Sequence, residues 1–280
     1  MRIGLIAGGG QFPLLFSRKA RGKGILVYAT AYFGETDPLL KESVEALEWI
    51  HLGQINRLIR FFRKNEIHEA VMIGSVKKTR MFSDIRPDIK AISLIARLKN
   101  SHDDNLLRAF SDTLQKDGIV IRASTFLLPE LIAPEGCWTR RKPSRIERRD
   151  IEIGWTAAKE IGRLDIGQCV VVGGGSVLAV EAVDGTDATI RRGGGLGRGE
   201  AVVVKVCKPD QDQRFDMPAV GAQTISTMAD VDARALAIEA GKAVVFDREE
   251  MVQLADRHSI SIVAMSKIPS HKFQIPNNIQ

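Results

Sequence analysis

The sequence is poor in the residues that many kinds of site require. Its 280 residues include only three cysteines, Cys137, Cys169 and Cys207, far apart and with no Cys-x-x-Cys pair. That spacing argues against a disulfide framework or a zinc site and fits a reducing compartment. Histidine is scarce, with five in the chain, each isolated, which argues against a histidine base or a phosphohistidine. Aromatic residues make up 6%, and no helix-turn-helix, zinc-finger or RNP signature occurs, so nucleic acid is not the expected partner. No apolar run approaches the ~18–20 residues of a spanning helix. Met1–Ala7 reads as a short strand running into glycines rather than as a signal peptide, and the expected location is the cytoplasm. Walker A, Ser–His–Asp, His-Glu-x-x-His and EF-hand patterns are absent.

What is present is an ordinary globular composition, 44% hydrophobic and 26% charged. At ~100–200 residues per domain, the length favours two domains. Lys and Arg number 40 against 34 Asp and Glu, a formal net charge of +6. That balance favours anionic partners, phosphorylated small molecules or a membrane surface among them.

The first half alternates between strand-like and helix-like runs. Arg2–Ala7, Ile25–Thr30, Leu47–His51, Glu69–Ile73 and Gly118–Ile121 read as strands. Runs from Gln11 to Arg21, Gly53 to Lys64, Pro87 to Lys99 and Asp103 to Lys116 read as helices. This alternation predicts an α/β fold with a parallel sheet covered on both faces. Sites in such sheets lie beyond the C-terminal strand ends, where Gly8–Gly10 and Gly74–Lys77 are expected. Glycines at a strand-to-helix junction let backbone N–H groups, here those of Gly9 and Gly10, approach a phosphate. A tight turn explains the triplet equally well, and the G-x-G-x-x-G fingerprint is not met. Ser101 or Asp103 reads as a helix cap, with His102 beside it.

Pro129, Pro134, Gly136 and Pro143 cluster with Arg140, Arg141, Lys142, Arg145, Arg148 and Arg149. This is the best boundary candidate. The expected organisation is an N-terminal domain over 1–130, a linker over 131–148, a C-terminal domain over 149–266 and a tail over 267–280. The basic cluster suits an anionic membrane surface, although a solvated linker accounts for it too. In the second half Asp150–Arg163 reads as a helix, and Gln168–Val172 with Val177–Val183 as a hairpin around Gly173–Ser176. A short helix is expected near Thr186, with Thr186 as its cap and Asp187 facing a ligand. Gly193–Gly199 reads as a lid or a plain flexible loop.

Two acidic patches follow strand-like runs, Glu181, Asp184 and Asp187 in one and Asp210, Asp212 and Asp216 in the other. The second is interleaved with Lys205, Lys208 and Arg214. If 211–217 is extended, Asp212, Arg214 and Asp216 share a face; if it is helical, Arg214 leaves that face. A solvated charged turn is the competing explanation. Carboxylates among cations suit Mg²⁺ and phosphate, so the residues point to a metal-dependent phosphohydrolase or transferase.

Several stretches together resemble one family. They are Ile3–Pro13, Leu52–Gln54, Asp103–Arg108, Asp150–Gly154, Leu164–Gln168, Ala179–Asp187 and Lys205–Gly221. Gly-Thr-Asp at 185–187 followed by Lys-Pro-x-Gln-Asp-x-Arg-Phe-Asp at 208–216 is a rare combination. The sequence resembles the LpxI-type UDP-2,3-diacylglucosamine pyrophosphatases of lipid A biosynthesis, which occur in Gram-negative bacteria. The resemblance implies an N-terminal Rossmann-like domain and a C-terminal domain of its own type. It also implies hydrolysis dependent on Mg²⁺, with Mn²⁺ as a substitute, to 2,3-diacylglucosamine 1-phosphate and UMP, water attacking the β-phosphorus. It carries the essential aspartate to Asp216, with Asp212 as the competing choice. Asp187 and Asp216 become metal ligands, Lys208 and Arg214 phosphate contacts, and Thr186, Gly9 and Gly10 further substrate contacts. A lipid-linked UDP-sugar, an anionic membrane surface and a second copy of the chain are the implied partners. The chain departs from the pattern at Asp184, where glutamate is commoner, and after Arg192, where more helix is expected. A non-catalytic nucleotide- or lipid-binding module and a nucleotide-sugar transferase remain as alternatives.

Overall fold

The computed structural model describes residues 1–76, 85–97, 103–209, 211–215 and 217–268. The chain forms two compact units. The first comprises Met1–Ile132 together with Gly162–Ile166 and Cys207–Ala219; the second comprises Ala133–Ile161, Gly167–Val206 and the chain from Val220 onward.

In the first unit β1 (Arg2–Ala7), β2 (Leu26–Tyr32), β3 (Ala46–Ile50), β4 (Glu69–Ile73) and β5 (Val120–Arg122) form an all-parallel sheet in the order β3-β2-β1-β4-β5. The connections carry α1 (Phe12–Gly22), a 3-10 turn at Pro38–Ser43, α2 (Ile55–Lys64), α3 (Ile89–Arg97) and α4 (Asp103–Lys116). The two-residue period of a strand explains the layering. Ile3, Leu5 and Ala7 of β1 join Phe16 and Ala20 of α1 in one buried cluster. Ile6, on the opposite face, joins Leu58 and Phe62 of α2 and Leu114 of α4 in another. Strands covered on both faces read as apolar runs, which is why the sequence predicts this Rossmann-like sheet correctly.

The second unit is built on a mixed sheet of β6 (Gly136–Cys137), β7 (Cys169–Gly173), β8 (Ser176–Val180), β9 (Val202–Lys205), β11 (Ala235–Glu239) and β13 (Ser261–Met265), in the order β6-β13-β11-β9-β7-β8. β9, β11 and β13 run parallel, whereas β6 and the β7–β8 hairpin run antiparallel to their neighbours. A short ribbon of β10 (Ala219–Val220) and β12 (Val244–Val245) lies apart from it. Ile151, Trp155 and Ala158 of α5 (Arg145–Arg163) pack on Val202 and Val204 of β9. α6 (Thr186–Gly197), α7 (Ala222–Ala229) and α8 (Arg248–Arg257) cover the other face, where Ile190, Met228 and Met251 meet Val203 and Ile238. The α/β class expected for both halves is therefore observed. Among the described residues, no helix is long and apolar enough to cross a membrane.

Two elements differ from the sequence reading. α5 begins at Arg145 rather than Asp150, because Ser144 and Glu147 cap it reciprocally. The Ser144 N–H donates to the Glu147 carboxylate (2.8 Å), and the Glu147 N–H donates to the Ser144 hydroxyl (3.2 Å). Burial pushes the Glu147 carboxyl up, but hydrogen bonds from Arg141 and Ser144 outweigh it and hold the group below its usual range. Arg145, Arg148 and Arg149 thus lie on a capped helix. The second difference is Gly193–Gly197, which continues α6 instead of forming a loop. A Cβ on Gly194 would stand 2.2 Å from Val231 Cγ2 and one on Gly193 2.5 Å from Val171 Cβ. These glycines permit close packing of the helix, and that contact offsets their unfavourable helix propensity.

Candidate active site

The charged stretch after β9 is two consecutive turns, neither extended nor helical. In the first, the Gln211 N–H donates to the Lys208 carbonyl (3.2 Å). The buried Gln211 side chain accepts from the Lys208 N–H (2.9 Å) and from the Cys207 thiol (3.1 Å). In the second, the Phe215 N–H donates to the Asp212 carbonyl (3.0 Å), and Asp212 Oδ1 accepts from the Arg214 N–H (3.1 Å). An aspartate side chain closing onto the backbone two residues on is a favoured turn device. Asp212 and Arg214 therefore meet through this turn, and neither the extended nor the helical geometry considered for the stretch is observed over 211–215. Asp216, the residue carried over as catalytic and as a metal ligand, lies outside the described residues, as does Asp210.

The Arg214 guanidinium forks onto Asp212, Nε to Oδ1 (3.0 Å) and Nη2 to Oδ2 (2.7 Å). That hydrogen-bonded pair holds the Asp212 carboxyl below its usual range and raises Arg214. α4 contributes to the same field: Arg108 lowers Asp212 further and Asp112 raises Arg214. The guanidinium also lies 4.7 Å from the Phe215 ring centroid. Phe215 packs against the core cluster that Leu106, Ala109 and Phe110 of α4 also join. One apolar anchor thus seats the charged turn on the first unit.

Lys208 is held in the same unit. Its Nζ donates to Asp165 Oδ1 at 2.6 Å, with the two side chains only 10% and 14% exposed. Asp165 sits just past the end of α5 at φ +56°, a conformation that terminates helices and that aspartate tolerates better than most residues.

The other acidic patch lies in the second unit. Glu181 is buried, accepting from the Thr186 hydroxyl (2.7 Å) and from the Gln168 N–H (3.0 Å). Thr186 is the first residue of α6, preceded by Gly185 at the cap position, so its hydroxyl serves Glu181 instead of capping the helix. Asp184 pairs with Arg192 (2.6 Å). Asp187 lies in the first turn of α6, where helix polarity favours a carboxylate. Among the described residues it has no ion-pair or hydrogen-bond partner. Burial pushes the Cys169 thiol up, with Glu181 and Asp187 adding to the shift and Lys205 opposing it, so these charges share one neighbourhood. No three Asp, Glu, His or Cys side chains converge as metal ligands among the described residues.

Gly9 exchanges backbone hydrogen bonds with Ser75 (2.7 and 3.1 Å), and a Cβ on Gly8 would stand 2.7 Å from the Gly74 carbonyl carbon. The two glycine-bearing strand ends thus lie side by side, as expected, and close packing accounts for Gly8. Gly10 is different: it has φ +88°, a Cβ on it would meet nothing within 4 Å, and it borders a cleft of about 760 Å³.

Residues 2–131 match the family description "LpxI N-terminal domain" and residues 134–263 match "LpxI C-terminal domain". The chain belongs to the LpxI family. A relative from Caulobacter vibrioides, named UDP-2,3-diacylglucosamine pyrophosphatase LpxI, is 34% identical over 268 residues, 91% of this chain and 94% of its own length. Among solved structures, the biotin carboxylase domain of Hydrogenobacter thermophilus 2-oxoglutarate carboxylase aligns over 62% of this chain and 35% of its own, at 12% identity and a TM-score of 0.24. That likeness is too slight to carry any argument.

In this LpxI chain, Lys208, Asp212 and Arg214 fall within the C-terminal family segment by sequence, yet they pack in the first compact unit. The sequence reading did not single out Arg108, Asp112, Asp165 or Gln211 as site residues. Arg108 and Asp165 stand within two of the family-like stretches, Asp103–Arg108 and Leu164–Gln168, and that was the available signal. Nothing in the sequence pattern marks Asp112.

Proposed function

We propose that this chain hydrolyses the pyrophosphate bond of UDP-2,3-diacylglucosamine to 2,3-diacylglucosamine 1-phosphate and UMP, a step of lipid A biosynthesis. The observation that carries the reading is a relative of that name, 34% identical and matched over nearly the full length of both chains. In the proposed reaction water attacks the β-phosphorus. A new P–O bond forms there, the bond from the β-phosphorus to the bridging oxygen breaks, and that oxygen leaves with UMP.

Phosphoryl transfer is catalysed mainly by positioning and by neutralising charge. Lys208 and Arg214 suit that task, since Asp165 and Asp212 hold their side chains in place. Asp212 already engages Arg214 with both carboxylate oxygens, which favours Asp216 over Asp212 as the group that handles the attacking water. Mg²⁺, with Mn²⁺ as a substitute, belongs to the same reading. Asp187 is the described carboxylate whose chemistry fits a hard, oxygen-seeking cation, and Asp216 is its proposed companion. When bound, such a cation neutralises charge developing on the phosphate oxygens. Thr186, Gly9 and Gly10 are retained as proposed substrate contacts. A cytoplasmic location, contact with an anionic membrane surface and a homodimer are further parts of the proposal.

The test is incubation with UDP-2,3-diacylglucosamine in ¹⁸O-water, with Mg²⁺ or with chelator. UMP release that requires the cation, with the label in the lipid phosphate, is the expected result. No UMP under any divalent metal overturns the activity, and label in UMP overturns the site of attack. Tight binding without turnover indicates a binding module instead.

A further inference from the structure

β1, β2 and β3 are parallel, so their C-terminal ends share one edge of the first unit's sheet. At that edge lies the cleft of about 760 Å³, lined by Gly10, Gln11 and Leu14 on one side and by the Phe33–Pro38 loop and Trp49 on the other. Small-molecule sites run roughly 300–1,000 Å³, and in open parallel sheets they lie at this edge. The cleft contains none of the carboxylates or cations discussed so far.

Its chemistry is specific. Phe33 and Trp49 stack with centroids 5.5 Å apart and ring planes 29° apart, and the His51 ring lies 4.8 Å from Phe33. Phe33 remains 44% exposed. Phe33 and Trp49, both lining the cleft, present an aromatic wall suited to a flat heterocycle. Glu35 follows the end of β2, the place where parallel-sheet nucleotide sites put the acid that accepts from ribose hydroxyls. The loop carrying it is already fixed. The Thr36 hydroxyl donates to the Ala7 carbonyl (2.6 Å) and accepts from the Tyr32 N–H (3.0 Å), and Asp37 Oδ1 accepts from the Leu39 N–H (2.9 Å). A preset loop loses little freedom on binding. Opposite it, Gly10 faces open space and the first turn of α1 carries no acidic residue, while the Glu35 carboxylate stands beside Gly9, its Oε2 3.6 Å from where a Cβ on that glycine would lie.

We propose that this cleft binds the nucleoside 5′-monophosphate half of the substrate, with Trp49 and Phe33 against the base and Glu35 on the ribose hydroxyls. The choice of uridine as the nucleoside rests on the pyrophosphatase reading above; the cleft and its chemistry do not.

UMP alone, titrated into the full chain by calorimetry, tests the proposal. Wild type should bind UMP in preference to 2′,3′-dideoxy-UMP. Trp49→Leu should weaken UMP by roughly tenfold or more, the scale of one lost base stack, while Trp49→Phe retains most of the affinity and controls for folding. Glu35→Ala should erase the preference for ribose hydroxyls. UMP binding that is absent in wild type, or unaltered in both Trp49→Leu and Glu35→Ala, overturns the assignment. If wild type releases UMP from the lipid substrate while these variants keep its KM, the function stands and the cleft assignment falls. If wild type binds UMP in the cleft but turns over no lipid substrate, the pyrophosphatase reading fails instead.

Discussion

Lys208 Nζ lies 2.6 Å from Asp165 Oδ1, joining residues 43 positions apart, and both side chains are nearly buried. The pair ties the first turn of the charged stretch to the segment that ends α5. Removing one partner of such a pair is destabilising, by up to about 3 kcal/mol where the remaining charge keeps a further contact, as Lys208 does. Asp165→Asn, which keeps a residue tolerant of φ +56°, should therefore lower the unfolding free energy from urea titration by up to that amount. The Asp165→Asn/Lys208→Met double variant should lose less than the sum of the two single losses. Additive losses would mean that the pair is not coupled.

The Asp212 carboxyl is depressed by the hydrogen-bonded Arg214 guanidinium. A folded value below the unfolded one gives stability that is fully present above the ordinary carboxylate value of ~3.9 and is lost as the pH falls through the folded value. The carboxyl resonance of Asp212 should accordingly titrate below that ordinary value in wild type and move up in Arg214→Gln. A wild-type midpoint at or above ~3.9 contradicts the pairing.

Adjacent glycines in α6 should respond in opposite directions to the same substitution. A Cβ on Gly194 collides with Val231 at 2.2 Å, whereas one on Gly195 meets nothing within 4 Å. Gly194→Ala should destabilise by about 1–3 kcal/mol through overpacking. Gly195→Ala should stabilise by roughly 0.5–1 kcal/mol through helix propensity. Denaturant titration of both variants reads the sign directly, and equal effects would sink the packing account.

In the proposed hydrolysis, Asp216→Ala should lower kcat by on the order of 10²–10⁴, the range for a lost proton-handling group, with the unfolding midpoint unchanged. Asp212→Asn releases Arg214 from its clamp and should act more on KM than on kcat. Steady-state rates of UMP release distinguish the two aspartates, and the reverse pattern would exchange their roles.

The first unit was legible because its signals are local and periodic. Apolar runs in β1 and β4 and the apolar face of α2 specify a covered parallel sheet without knowledge of distant contacts. The capping box at Ser144 and Glu147 was legible too, as a Ser-x-x-Glu spacing before an apolar-periodic run, although the reading of a basic linker concealed it. Motif content in Gly185–Asp187 and Lys208–Asp216 was sufficient to point to the family, because composition and order survive in the chain alone.

Tertiary structure alone decided the geometry of the charged stretch. Phe215 packs beside α4, and Lys208 pairs with a residue 43 positions away, so the stretch belongs to the first unit although it lies in the second half of the sequence. Periodicity offers only strand or helix for such a run. The two turns at 208–215 arise from side-chain hydrogen bonds of Gln211 and Asp212, and these form where packing holds the chain in place. The helical path of Gly193–Gly197 has the same origin. Its favourable term is close contact with Val171 and Val231, and no property of the glycine run itself contains that.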